Sequence, residues 1–180
     1  MKNRKIALVY DAIYPFIKGG GEKRFYEIGK RLVSYGYEVH LYGMKLWSGK
    51  DVIQNDDGVY LHGICPAMPL HTKDGKRSIR QAIIFGVYCL KIFKEEFDVI
   101  DCSGFPYFSL YTCKLICLLK KKKLYSTWHE VWGRDYWVEY LGWKGNLAYI
   151  VEKVSVSLPD KIISVSDHTS KQLKAIFEKE

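Results

Sequence analysis

Short apolar runs alternate along this chain with segments whose apolar residues recur every three or four positions. Residues 5–10 (KIALVY) are nearly all apolar, the pattern of a strand buried on both faces of a parallel sheet. A glycine-rich loop through Gly19, Gly20 and Gly21 follows. Phe25, Ile28, Gly29 and Leu32 then fall at helical spacing, with Lys23, Arg24, Glu27, Lys30 and Arg31 on the other side. Gly36 is placed to end that helix in the left-handed conformation. Residues 38–42 (EVHLY) alternate briefly and predict a second strand, which completes one strand–helix–strand unit.

The alternation continues to the end of the chain. Residues 43–77 are loop-rich, with a short strand predicted at 59–62. Ser78 is placed to cap a long helix on which Ile79, Ile83, Val87, Leu90 and Phe93 form an apolar stripe, the usual mark of a face turned to a core. Residues 98–102 predict a strand, and Pro106 opens a helix through 107–119, where its missing N–H costs nothing. Residues 124–128 predict the next strand, ending at His129. Asn146 starts a helix with Leu147, Ile150, Val151, Val154 and Leu158 on one side. Residues 162–165 predict the last strand, and Ser166 caps a final helix. This order argues an α/β fold, a doubly wound Rossmann-like parallel sheet with helices on both faces. No repeat, low-complexity tract or linker interrupts it, so residues 1–180 are expected to form a single domain.

Composition narrows the setting. With 48% hydrophobic and 27% charged residues the chain is an ordinary globular one, which excludes wholesale disorder. A formal charge of +8 favours anionic partners: phosphate-bearing small molecules, nucleic acid or an acidic membrane surface. The 5 cysteines lack C-x-x-C spacing and sit mostly in apolar runs, as reduced buried thiols do in the cytosol. The N-terminus passes directly into a strand with no signal-peptide core, and the most apolar stretch, 82–93, is too short to span a bilayer. The expectation is a soluble cytoplasmic chain, with peripheral contact at the inner face of the membrane left open.

In open α/β sheets ligands bind beyond the carboxyl ends of the strands. The loop 11–21, the pair Ser103 and Gly104, and the pair His129 and Glu130 all fall there. The glycine run offers bare backbone N–H groups at a helix start, a place for an anion such as a diphosphate; a flexible turn is the alternative. G-x-G-x-x-G is absent, no acid ends the second strand, and a Walker lysine–serine pair is missing, so dinucleotide and P-loop readings fall. A flavodoxin-like signalling domain would need acids clustered after the first strand, where only Asp11 stands. His129 could hydrogen-bond a sugar hydroxyl, take part in proton transfer, or be structural. His62, Cys65 and His71 fit no familiar zinc spacing, so no metal is expected. The block 120–123 (KKKK) is either a solvated turn or a contact for an anionic leaflet. Trp132, Tyr136, Trp137, Tyr140 and Trp143 could stack on sugars, enter a membrane interface or pack under a neighbouring domain. Lysines and aromatics are not interleaved as a nucleic-acid groove requires.

Taken in order, the segments KIALVY, DAIYPFIKGGGEKRFYEIGKRL, YGYEVHLYG, KLYSTWHE and PDKIISVSDHTSKQL resemble the N-terminal domain of retaining, GT-B-fold glycosyltransferases of family 4. The resemblance covers nearly the whole chain and is weakest over 45–78. It implies that Gly20 and Gly21 lie against the donor diphosphate and that His129 is the catalytic histidine that hydrogen-bonds the transferred sugar. It further implies that Tyr14, Lys18, Ser103 and Tyr107 face the acceptor, a glycan or a lipid-linked hydroxyl. The donor is a nucleotide sugar, with no cofactor and no essential metal. Such enzymes have a second, nucleotide-holding domain with a Glu-x7-Glu motif, and no Glu here is followed by another eight positions later. The chain is therefore expected to be the acceptor-side half of a larger or split enzyme, with the C-terminal donor domain as its partner. The alternative is a non-catalytic module that docks on anionic lipid or on a glycosyltransferase subunit.

Overall fold

The computed structural model describes residues 4–178. Its strands are β1 (Lys5–Val9), β2 (Glu38–Lys45), β3 (Val52–Gln54), β4 (Tyr60–Pro66), β5 (Val99–Ser103), β6 (Lys123–Trp128) and β7 (Lys161–Ser164). They form one seven-stranded sheet in the order β3-β4-β2-β1-β5-β6-β7, parallel except for β3, which runs antiparallel to β4. The helices are α1 (Gly20–Ser34), α2 (Ile79–Tyr88), α3 (Phe108–Lys120), α4 (Gly133–Leu141), α5 (Gly145–Ser157) and α6 (Asp167–Glu178), with a 3₁₀ segment Cys89–Lys94 continuing α2. The expected Rossmann-like architecture is what the chain adopts.

The pleat divides the core in two. Leu8, Val39, Leu41 and Leu61 face α1 and pack with Phe25. Ala7, Val9, Tyr42, Ile100, Cys102 and Leu124 face the other way, against a layer of helices. In that layer α3 stands between its neighbours: the Thr112 hydroxyl donates to the Gly86 carbonyl of α2 at 2.8 Å, and the Tyr111 hydroxyl to the Val151 carbonyl of α5 at 3.0 Å. Helices leave β1 and β5 for opposite faces, so the crevice of the sheet opens between the ends of these two adjacent strands.

The caps agree with the sequence. Ser78 Oγ accepts from the Gln81 N–H at 3.2 Å, Ser166 Oγ from the Thr169 N–H at 3.1 Å, and Gly36 has φ +84° after α1. Two elements lacked a readable pattern: three-residue β3, and α4, which lies under the aromatic cluster. Helix α3 begins at Phe108, two residues after Pro106.

One expectation is overturned. Ile79, Ile83, Val87, Leu90 and Phe93 do not face the core; their exposures run from 44 to 58%. Gln81, Ala82, Phe85, Gly86, Cys89 and Ile92 turn inward instead. The segment is apolar nearly all round, so periodicity offers two candidate faces. The side carrying Ala82, Gly86 and Cys89 is the smaller one and admits closer approach. A Cβ on Gly86 would lie 2.9 Å from the Phe108 Cβ and 3.0 Å from its backbone, so glycine lets α2 and α3 close up. The expected α5 stripe is split: Leu147, Ile150 and Val154 are exposed, whereas Val151 and Leu158 pack against the core.

Candidate functional site

The loop after β1 delivers the glycines to the start of α1, where Gly19 precedes the first helical turn in extended conformation with no side-chain cap. The N–H groups of that turn therefore depend on whatever approaches the helix end. Gly20 has open space around it, and Glu22 folds its carboxylate back over Gly19. Gly21 lies under Tyr10, whose hydroxyl would be 2.8 Å from any Cβ there. Tyr10 stacks on the His129 ring at 6.3 Å, and Phe25 of α1 meets the same ring at 6.0 Å. Gly21 and His129, far apart in sequence, are thus joined through one tyrosine.

His129 is held from behind, because the Thr169 hydroxyl in the first turn of α6 donates to its carbonyl at 3.1 Å. Burial, with a smaller push from the Arg24 guanidinium, lowers the imidazole to about 4, so it is neutral at physiological pH. Its Nε2 is buried and unpartnered, and so is Nη1 of Arg24. Two polar atoms of this kind are costly unless something meets them. Arg24 also lies near Asp101 of β5, whose carboxyl burial raises to about 6 although the Thr127 hydroxyl donates to it. Arg24 looked like part of the solvated face of α1 in the sequence; its spacing carried no signal of this role. Beyond His129 a cleft of about 350 Å³ runs along Glu130, Ser166, His168 and Gln172.

The four residues expected at an acceptor are divided between two places. Tyr14 packs edge-on against Tyr26 of α1 at 5.2 Å, and Lys18 is exposed in the same loop. Ser103 is buried and its hydroxyl donates to the Phe105 carbonyl at 2.7 Å. The Tyr107 hydroxyl donates to Glu152 at 2.7 Å. Both hydroxyls hold the loop after β5 in shape. Glu152, fully buried on α5, also accepts from the Trp132 and Gly133 N–H groups at 2.8 Å, tying α5 to the start of α4. The ring of Tyr107 helps to floor an apolar cleft of about 390 Å³ between Ile79 and Ala82 of α2 and Trp143, Leu147 and Ala148 near α5.

Arg77 stands at the rim of that cleft. Its guanidinium reaches buried Asp11 at 2.8 Å and lies 5.2 Å from the centre of the Phe105 ring, while its N–H donates to the Tyr140 hydroxyl. Gln81 also donates to Asp11, at 3.0 Å, yet burial outweighs both and raises this carboxyl. Within the aromatic cluster Trp132 packs on Phe105, Tyr136, Trp137 and Tyr140, while Trp143 remains 79% exposed. Of the three residues weighed for zinc, His62 is hydrogen-bonded to His40 at 2.8 Å, Cys65 is buried and His71 is exposed. No helix among the described residues is long and apolar enough to cross a membrane.

Comparison with known proteins adds a family. The family model described as Glycosyltransferase Family 4 matches residues 18–178. No curated protein sequence matches the chain. A sucrose-phosphate synthase from Thermosynechococcus elongatus superposes with a TM-score of 0.68 at 14% identity, over 96% of this chain and 45% of that one. A putative UDP-N-acetylglucosamine 2-epimerase from Listeria monocytogenes gives 0.52 at 13% identity, over 100% of this chain and 43% of its own. At such identities the likeness is one of fold, and the chain spans less than half the length of either structure.

Proposed function

The chain belongs to glycosyltransferase family 4, and from that premise we propose that it is the acceptor-side half of a retaining enzyme. The reaction moves a sugar from a nucleotide-sugar donor to an acceptor hydroxyl. The carrying observation is the meeting of the glycine-opened start of α1 with His129 and Arg24, each holding a buried polar atom without a partner.

In this reading the bond between the anomeric carbon and the diphosphate oxygen breaks, and the diphosphate leaves with the electron pair. The acceptor oxygen forms the new bond and passes its proton to the departing diphosphate oxygen. Negative charge grows on the leaving oxygen, and the N–H groups of the first turn of α1, with the Arg24 guanidinium, oppose it. The Glu22 carboxylate must swing aside, since the diphosphate takes the position it now covers. His129 serves as a neutral hydrogen-bonding partner for a sugar hydroxyl, because burial keeps it uncharged. We assign nucleotide recognition to a second Rossmann-like half outside residues 1–180. Alone, this chain binds donor weakly and turns over poorly, because positioning the donor is the work of that half.

The test is release of nucleoside diphosphate from a panel of nucleotide sugars by the intact enzyme, with product stereochemistry read from the anomeric proton signal. His129→Ala is expected to reduce release by about 10²-fold or more, the scale of losing one transition-state contact, with an unchanged circular dichroism spectrum. Unaltered turnover in that variant, or an inverted product, overturns the reading.

A further inference from the structure

The helical layer on the face away from α1 is apolar on its outside as well as its inside. Ile79, Ile83, Val87, Leu90 and Phe93 line one outward side of α2 and its 3₁₀ extension. Leu115, Leu118 and Leu119 project from α3 between them and α5, where Leu147, Ile150 and Val154 continue the surface. The hydrogen bonds that bind α3 to both neighbours make these three faces one surface. Scattered exposed apolar residues need no explanation, but three adjacent helices sharing an apolar exterior do.

Charge identifies what the surface fits. Over α2 with its 3₁₀ extension, α3 and α5, the sole acid is Glu152, and it is fully buried under Tyr107 and the start of α4. Arg80, Lys91 and Lys94 are exposed beside the α2 stripe, and Lys144 stands beside Trp143. None of these four meets a carboxylate at ion-pair distance among the described residues. Cations on long stems around an apolar face match a lipid leaflet, where stems lie along the acyl boundary and charges reach headgroups. A second copy of the chain would instead oppose like charge to like charge. The apolar cleft is continuous with this surface, since Ile79 and Leu147 belong to both, and Arg77 and Lys144 stand on its rim.

We propose that the outer face of α2, α3 and α5 docks on an anionic lipid bilayer, with the cleft opening toward the leaflet. Docking does not depend on the transfer chemistry, so either can stand without the other.

The test is co-sedimentation of the intact chain with vesicles of phosphatidylcholine, alone or mixed with phosphatidylglycerol. Binding is expected to the mixed vesicles and to weaken as salt rises from about 0.1 M to about 1 M, where the Debye length shrinks from ~10 to ~3 Å. Ile83→Glu with Val87→Glu should reduce partitioning about tenfold or more, because apolar area is lost and two repelling charges are added. Ser34→Glu with Tyr35→Glu makes the same change of charge at exposed positions at the end of α1, and should leave partitioning within about twofold. Equal loss from both pairs would reduce the effect to net charge and overturn the proposal. Failure to bind the mixed vesicles at low salt would do the same. So would sedimentation velocity showing a stable dimer that the Ile83 and Val87 pair dissociates.

Discussion

The two faces of the sheet solve opposite problems. Against one face lies α1, whose buried Phe25 and Gly29 turn inward while Lys23, Lys30 and Arg31 meet water. Between it and the neighbouring strands are polar groups: Arg24, Asp101 with Thr127, and His129. Against the other face lies a layer whose interior is apolar and thiol-rich, with Cys89, Cys102, Cys113 and Cys117 buried, and whose exterior is apolar too. The first face has a wet outside and ionisable groups within, and it holds the candidate transfer site. The second confines its buried acids, Asp11 and Glu152, to hydrogen-bonded positions near the crevice end, and its apolar outer surface is suited to something other than water. A helix with one apolar side declares its orientation, whereas one that is apolar all round leaves it to packing.

The largest test of this contrast lies within α2 itself. Phe85→Ala should cost about 3–5 kcal/mol in urea unfolding, while Val87→Ser, two residues on, should stay within about 0.5 kcal/mol. Equal losses would mean that Val87 is covered in the folded protein.

Next comes the polar interior beneath α1. The folded protein holds the Asp101 proton up to about 6, above the ordinary carboxylate range, so it binds that proton more tightly than the unfolded chain. Wild-type stability from this group therefore falls as pH rises through that window, and the penalty is complete above about 6. Asp101→Asn should gain up to about 3 kcal/mol at neutral pH, with the gain fading toward pH 4. A gain independent of pH in paired denaturation curves would count against a titrating Asp101.

The glycines separate the faces by a smaller margin. Gly86→Ala should destabilise by about 1–3 kcal/mol, because the new methyl meets Phe108 backbone that cannot give way. At Gly29 the same methyl would find Leu8, Val39 and Val59 at 3.4–3.5 Å, ordinary contact. Gly29→Ala should therefore stabilise by up to about 1 kcal/mol through helix propensity. Thermal unfolding of both variants distinguishes a tight helix–helix contact on one face from a looser helix–sheet contact on the other.

By itself the sequence determined the succession of strands and helices, the parallel sheet and the caps at Gly36, Ser78 and Ser166. These depend on neighbours a few residues apart, where apolar spacing, glycine conformation and hydroxyl capping act. It also placed Gly21 and His129 at strand and helix ends on one edge. Three residues of β3 and the aromatic-rich α4 were too short or too irregular to stand out. The tertiary structure alone decided the approach of Arg24 to His129, the pairing of Asp11 with Arg77, and the collection of donors by Glu152. It also decided which side of α2 is buried, because Gly86 lets α3 approach a side that hydropathy does not distinguish. Hydropathy along one segment measures how much apolar surface exists, and close packing between segments chooses which part of it is hidden.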